Sequence, residues 1–123
     1  MAGRYTFPYH RTGEFLRSIL QILAQSNGAW CSNILDELGR LINPTPAELR
    51  GIPSNPSYPR YRKVAAWLMN AAKNAGWIEK MEGRRGTYRI TPAGIEAYNR
   101  ISDPEALVLE VLRLAGWGRK SDI

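Results

Sequence analysis

Three times in this chain a threonine or aspartate, both helix-capping residues, stands directly before proline: Thr45-Pro46, Thr91-Pro92 and Asp103-Pro104. A side-chain oxygen at the N-cap accepts an unpaired N–H of the first helical turn, and proline at the next position lacks the N–H that would otherwise go unpaired. Each pair therefore marks a helix start. Glu48 completes a capping box with Thr45 and predicts a short helical turn to about Arg50. The helix opened by Pro92 carries Ile95, Tyr98 and Ile101. The one opened by Pro104 carries Leu107, Val108, Val111, Leu112 and Leu114 and ends at Gly116 and Gly118.

Hydrophobic spacing supplies the remaining elements. After Thr12-Gly13-Glu14, residues Phe15, Leu16, Ile19, Leu20, Ile22 and Leu23 recur on one helical face until Asn27-Gly28. Trp30 fits a stub of strand. Ser32 is placed to cap a second helix, with Ile34, Leu35, Leu38, Leu41 and Ile42 as its apolar stripe and Asn43-Pro44 as its end. Residues 53–57 read as a loop by composition. Pro59 suits the first turn of a long helix reaching Ala75, with Gly76 just beyond. Residues 77–81 and 87–90 read as strands around the turn Gly83-Arg84-Arg85-Gly86.

Three helices followed by a β-hairpin is the winged helix-turn-helix plan. The expected fold is α+β and mostly helical, a winged helix-turn-helix with a two-stranded wing and extra C-terminal helices. Residues 1–12 form an arm holding Arg4, Tyr5, Phe7, Tyr9 and Arg11, and residues 13–102 the winged-helix domain. Residues 103–115 form a helix that packs on the domain or dimerises, and 116–123 a tail or linker.

The net charge of +6 is concentrated. Between residues 60 and 89 stand eight basic residues against Glu79 and Glu82; the other nine basic and nine acidic residues cancel. A localised basic surface fits a polyanionic partner. On the helix after Pro59, a spacing of about 100° per residue puts Val64, Trp67, Leu68, Ala71 and Ala75 on the core side. Arg62, Ala66, Met69 and Lys73 fall opposite, with Lys63 and Asn70 on a flank. Small residues in such a stripe admit a major groove, and cations meet phosphates. The candidate DNA-binding residues on this recognition helix and its approach are Tyr58, Arg60, Tyr61, Arg62, Lys63, Ala66, Asn70 and Lys73. Arg60, Arg62 and Lys63 are alternatives for reading a base. The wing contributes Arg84, Arg85 and Arg89. Two adjacent arginines at a hairpin tip repel each other, and phosphate relieves that repulsion.

Nothing here resembles a catalytic site. His10 is the only histidine, Cys31 the only cysteine, and no Cys/His cluster has metal-ligand spacing. No glycine-rich phosphate loop follows a strand. No catalytic residue, metal or cofactor is expected. No run of ~18 apolar residues suggests a membrane span, no signal sequence opens the chain, and a lone cysteine cannot form an intrachain disulfide. These point to a cytoplasmic protein.

Three segments, "NPTPAELRGIPSNPS", "YRKVAAWLMNAAKNAGWI" and "RRGTYRITPAG", together resemble the N-terminal winged-helix domain of Mrr-like restriction endonucleases over roughly residues 13–100. The matching positions are Thr45 and Glu48; Pro53 and Ser54; Trp67, Ala75, Gly76 and Trp77; and Arg85, Gly86, Tyr88, Ile90, Thr91 and Gly94. The last segment is shared with MarR-like and PadR-like regulators. The resemblance implies recognition of double-stranded DNA, modified bases included, by a module normally attached to a nuclease domain. No nuclease signature is visible here, so the module is expected to be non-catalytic, as a monomer or homodimer, with any nuclease domain missing or separate. Two alternatives stay open: a winged-helix transcriptional regulator dimerising through its terminal helix, and a winged helix that binds protein.

Overall fold

The computed structural model describes residues 7–116. Helix α1 (Tyr9–Ala24) begins a turn earlier than expected, with Pro8 extended at its N-cap and the Thr12 N–H donating to the Pro8 carbonyl at 3.0 Å. Residues 9–12, the last third of the expected arm, are therefore helix. Phe7 packs edge-on against Phe15, with ring centres 5.7 Å apart. Arg4 and Tyr5 lie outside the described residues. Gly13 does not start the helix. It is buried where α1 meets the last helix, α6 (Pro104–Ala115), and a methyl group there would collide with the Pro104 carbonyl. Gly13→Ala is expected to destabilise by about 2 kcal/mol, because a backbone obstacle cannot rotate away. An unchanged denaturation midpoint would refute this packing.

Helix α2 (Cys31–Ile42) starts one residue before Ser32 and has no side-chain cap. Its first N–H, on Cys31, instead donates to the Gly86 carbonyl at 2.8 Å. A tertiary bond from the hairpin takes the place of the expected serine cap. Thr45 caps α3 (Pro46–Leu49) as predicted: its hydroxyl accepts from the Glu48 N–H at 3.2 Å, and the Glu48 carboxylate accepts from the Thr45 N–H at 3.0 Å. Glu48 is buried, and Arg11 reaches it from α1 with a two-pronged bond, Nε at 2.7 Å and a terminal nitrogen at 2.8 Å. Arg11 also donates to Glu14 and to the Ile42 carbonyl that ends α2. One side chain thus ties three helices together.

Of residues 53–57, expected as a loop, Pro53 and Ser54 form the turn of a small hairpin, while 55–57 belong to its second strand; the strands are β2 (Gly51–Ile52) and β3 (Asn55–Pro59). Prolines are tolerated because each strand has a free edge. The Asn55 side chain accepts from both the N–H and the hydroxyl of Ser57, which organises the turn locally. Helix α4 (Arg60–Asn74) follows, with Pro59 at its N-cap rather than inside its first turn. Its Arg60 N–H donates to the Arg50 carbonyl at 2.9 Å, closing the base of the hairpin on the helix start.

Strands β1 (Ala29–Trp30), β4 (Ile78–Lys80) and β5 (Thr87–Ile90) form an antiparallel sheet in the order β1-β5-β4. Thr91 then caps α5 (Pro92–Arg100), its hydroxyl accepting from Gly94 at 3.1 Å, and Asp103 caps α6 by accepting from Ala106 at 2.8 Å. The result is an α+β, mostly helical, winged-helix-like fold. Between α2 and α4, the usual short turn is replaced by α3 and the β2–β3 hairpin.

The core joins one face each of α1, α2, α4 and α6 with Trp77, just before β4, and Ile78 at the start of that strand. Leu107, Val108, Val111 and Leu112 of α6 are buried, and α1 is its principal neighbour. The apolar stripe expected either to pack or to dimerise is thus covered within the chain. Leu41, Ile95 and Leu114, expected in apolar stripes, lie at their outer edges and stay largely exposed. Residues 117–123, most of the expected tail, lie outside the described residues.

Candidate nucleic-acid interface

Helix α4 is turned about its axis relative to the sequence expectation. Tyr61, Val64, Ala65, Leu68, Met69, Ala71 and Ala72 face the core, whereas Trp67 is 43% exposed. At 100° per residue the buried direction differs from the predicted one by roughly 60°. The cause lies in the alanines. Ala65 and Ala72 are fully buried, and they weigh little in a hydrophobicity pattern that the bulk of Trp67 dominates. Met69, expected outside, fills the core beside them. The outward stripe is instead Lys63, Trp67, Asn70 and Asn74, with Ala66 and Lys73 half-buried at its edge.

The candidate residues separate accordingly. Lys63 and Asn70 are exposed on the outer face, as expected. Tyr61 is not available there: it is buried, with its hydroxyl against Gly39 of α2. Arg62 points toward α2 and donates to Asp36 at 2.8 Å, with only 20% of its side chain exposed. Burial works most strongly against its charge, but Asp36 and Tyr61 together more than offset this and keep its pKa above the ordinary arginine value. Tyr58, on β3, and Arg60 are half-buried at the approach to α4. The Arg60 Nε is enclosed without a hydrogen-bond partner.

On the wing, Gly83 and Gly86 adopt positive φ of 77° and 74°, the left-handed conformation that glycine enters without steric cost. They bend the chain so that Arg84 and Arg85 project exposed at the tip. Arg89 is in a different situation. It sits opposite Glu79 across the β4–β5 pair and donates to it at 2.6 Å. Its charge is spent within the wing.

The electrostatic outcome is a cation set already sorted by the fold. Of the eight basic residues between 60 and 89, Arg62 and Arg89 have carboxylate partners. Arg60, Lys63, Lys73, Lys80, Arg84 and Arg85 have none among the described residues. Trp67, Asn74 and Lys80 were absent from the sequence-derived set. The spacing of Lys63, Trp67, Asn70 and Asn74 is itself a helical stripe and could have identified the first two.

Elsewhere the titratable groups look structural. Burial pushes the Cys31 thiol pKa up, favouring the neutral form over a thiolate nucleophile. Among the described residues, no group of three or more His, Cys, Asp or Glu could hold a metal ion, and no helix is long and apolar enough to cross a membrane.

Compared with known families, residues 13–100 match the model of the Mrr N-terminal domain. No curated protein and no solved structure gives a match.

Proposed function

Because this chain belongs to the Mrr N-terminal domain family, we propose that it is a double-stranded DNA-binding module, the target-recognition part of a restriction system. The observation that carries this reading is the set of six cations without carboxylate partners, on and beside the exposed face of α4 and on the wing. Charges left unpaired within a fold remain available to phosphate. Family membership supports association with a restriction system. Lys63 and Arg60 meet the backbone near the start of α4, and Lys73 meets it farther along. Asn70 presents an amide to a base edge. Trp67 supplies the apolar surface between them. Arg84 and Arg85 grip the flanking backbone from the wing. The module has no catalytic role of its own, takes no cofactor, and leaves cleavage to a separate nuclease domain. The covered stripe of α6 favours this reading over a transcriptional regulator that dimerises through its terminal helix.

The test compares three variants by melting curve and duplex titration. Trp67→Ala is expected to stay folded and to weaken binding by about 1–3 kcal/mol on preferred duplexes. Lys63→Ala is expected to weaken all duplexes alike and to reduce the salt slope by about one. Arg62→Ala removes an ion pair whose carboxylate, on Asp36, is largely solvated, and is expected to cost the fold at most about 1 kcal/mol. If Trp67→Ala unfolds the chain, the orientation of α4 is wrong. If all three variants bind DNA like the parent, the reading face lies elsewhere.

A further inference from the structure

Beside the wing lies an open cleft of about 530 Å³, within the range of roughly 300–1,000 Å³ for small-ligand sites. Trp30 of β1, Asn33 in the first turn of α2, and Arg84 and Arg85 at the wing tip line it. Trp30 is 56% exposed. Its indole N–H donates to the Arg85 carbonyl at 2.9 Å, which fixes the ring against the wing instead of leaving it to swing. Gly86 brings the backbone close beneath it; a side chain there would press on the indole nitrogen. Neither arginine has a carboxylate partner among the described residues. Asn33 is exposed and makes no side-chain bond to any described residue. A fixed aromatic surface, an amide that both donates and accepts, and two cations therefore share one concavity.

These groups match different parts of a nucleotide. Arginines complement phosphate, an amide complements a base edge, and an indole complements the face of a base. An intact duplex hides its base faces in the stack and offers such a cleft only base edges, sugar and phosphate, none of which uses the indole face. We propose that the cleft binds an unstacked nucleotide, with its base on Trp30, its edge toward Asn33 and its phosphate at Arg84 and Arg85. The inference rests on the DNA-binding reading above and adds to it a preference for duplexes carrying an unpaired base. The binding is non-covalent, and no bond is made or broken.

The experiment measures affinity for an intact duplex and for the same duplex with one unpaired thymine. The parent chain, Trp30→Ala, Trp30→Phe and Arg84→Ala are compared, with a melting curve for each. The parent is expected to bind the unpaired-base duplex about tenfold more tightly, from the stacking of a single base. Trp30→Ala should bring the ratio to about one, and Trp30→Phe, which keeps a ring, should retain part of it. Arg84→Ala should lower affinity for both duplexes. Equal affinity of the parent for the two duplexes, with binding still salt-dependent, would overturn the inference and leave the DNA-binding reading standing. A ratio that survives Trp30→Ala would also overturn it. Failure to bind either duplex would overturn both.

Discussion

Arg11→Ala is expected to cost this fold about 3 kcal/mol, because it leaves a buried carboxylate without its cation. Glu48 keeps only 8% of its side chain exposed, and Arg11 keeps 22%. The guanidinium meets both Glu48 oxygens, donates to the Ile42 carbonyl and lies 5.1 Å from the Phe15 ring centre. Removing it unties α3 from α1 and from the end of α2 at once. Glu48→Gln should cost less, about 1 kcal/mol, since an amide oxygen still accepts from the Thr45 N–H and Arg11 retains Glu14. The pH dependence follows from the same pair. The bond from Arg11, partly opposed by burial, holds the Glu48 carboxyl below its ordinary pKa. A carboxylate with a depressed folded pKa contributes stability that is fully present above its unfolded value, about 4.3, and is lost as pH falls through the folded value. The parent chain should therefore lose stability on acidification below about pH 5, and Arg11→Ala should lose less of it. Denaturant unfolding of both chains from pH 7 down to pH 3 measures this; parallel pH profiles would show that the pair contributes nothing.

Much of this architecture is legible in the residues, because the decisive signals are local. Thr45, Thr91 and Asp103 cap helices as their spacing before proline suggests. Gly83 and Gly86 turn the wing where they stand. What escapes a sequence reading depends on partners distant along the chain. The α2 start is satisfied by the Gly86 carbonyl, 55 residues away, and so needs no serine cap. Arg11 looks like part of a loose arm until Glu48 is brought to it. Residues 53–57 have the composition of a loop, yet only Pro53 and Ser54 turn, and 55–57 continue into a strand of the hairpin. The axial orientation of α4 escapes its hydrophobicity pattern because two small alanines, Ala65 and Ala72, are fully buried while the largest apolar residue, Trp67, stays outside. In the candidate interface, the basic window was visible, but its division into spent and available charges was not. Arg62 and Arg89 are separated from their neighbours only by Asp36 and Glu79, carboxylates that the fold delivers to them.

That division gives the DNA-binding account its quantitative content. If the six cations without carboxylate partners each neutralise a phosphate, log K should fall with log salt at a slope of about −5. Affinity for a duplex would then drop about a thousandfold between 50 mM and 200 mM salt. Arg84→Ala combined with Arg85→Ala should flatten the slope by about two, whereas Arg89→Ala should barely change it, because Glu79 already holds that charge. The most direct measurement is a duplex titration of the parent chain across this salt range, with the double wing variant alongside. The account predicts a steep linear dependence that shallows when the wing arginines are removed. Binding independent of salt, or no binding at 50 mM, would contradict it.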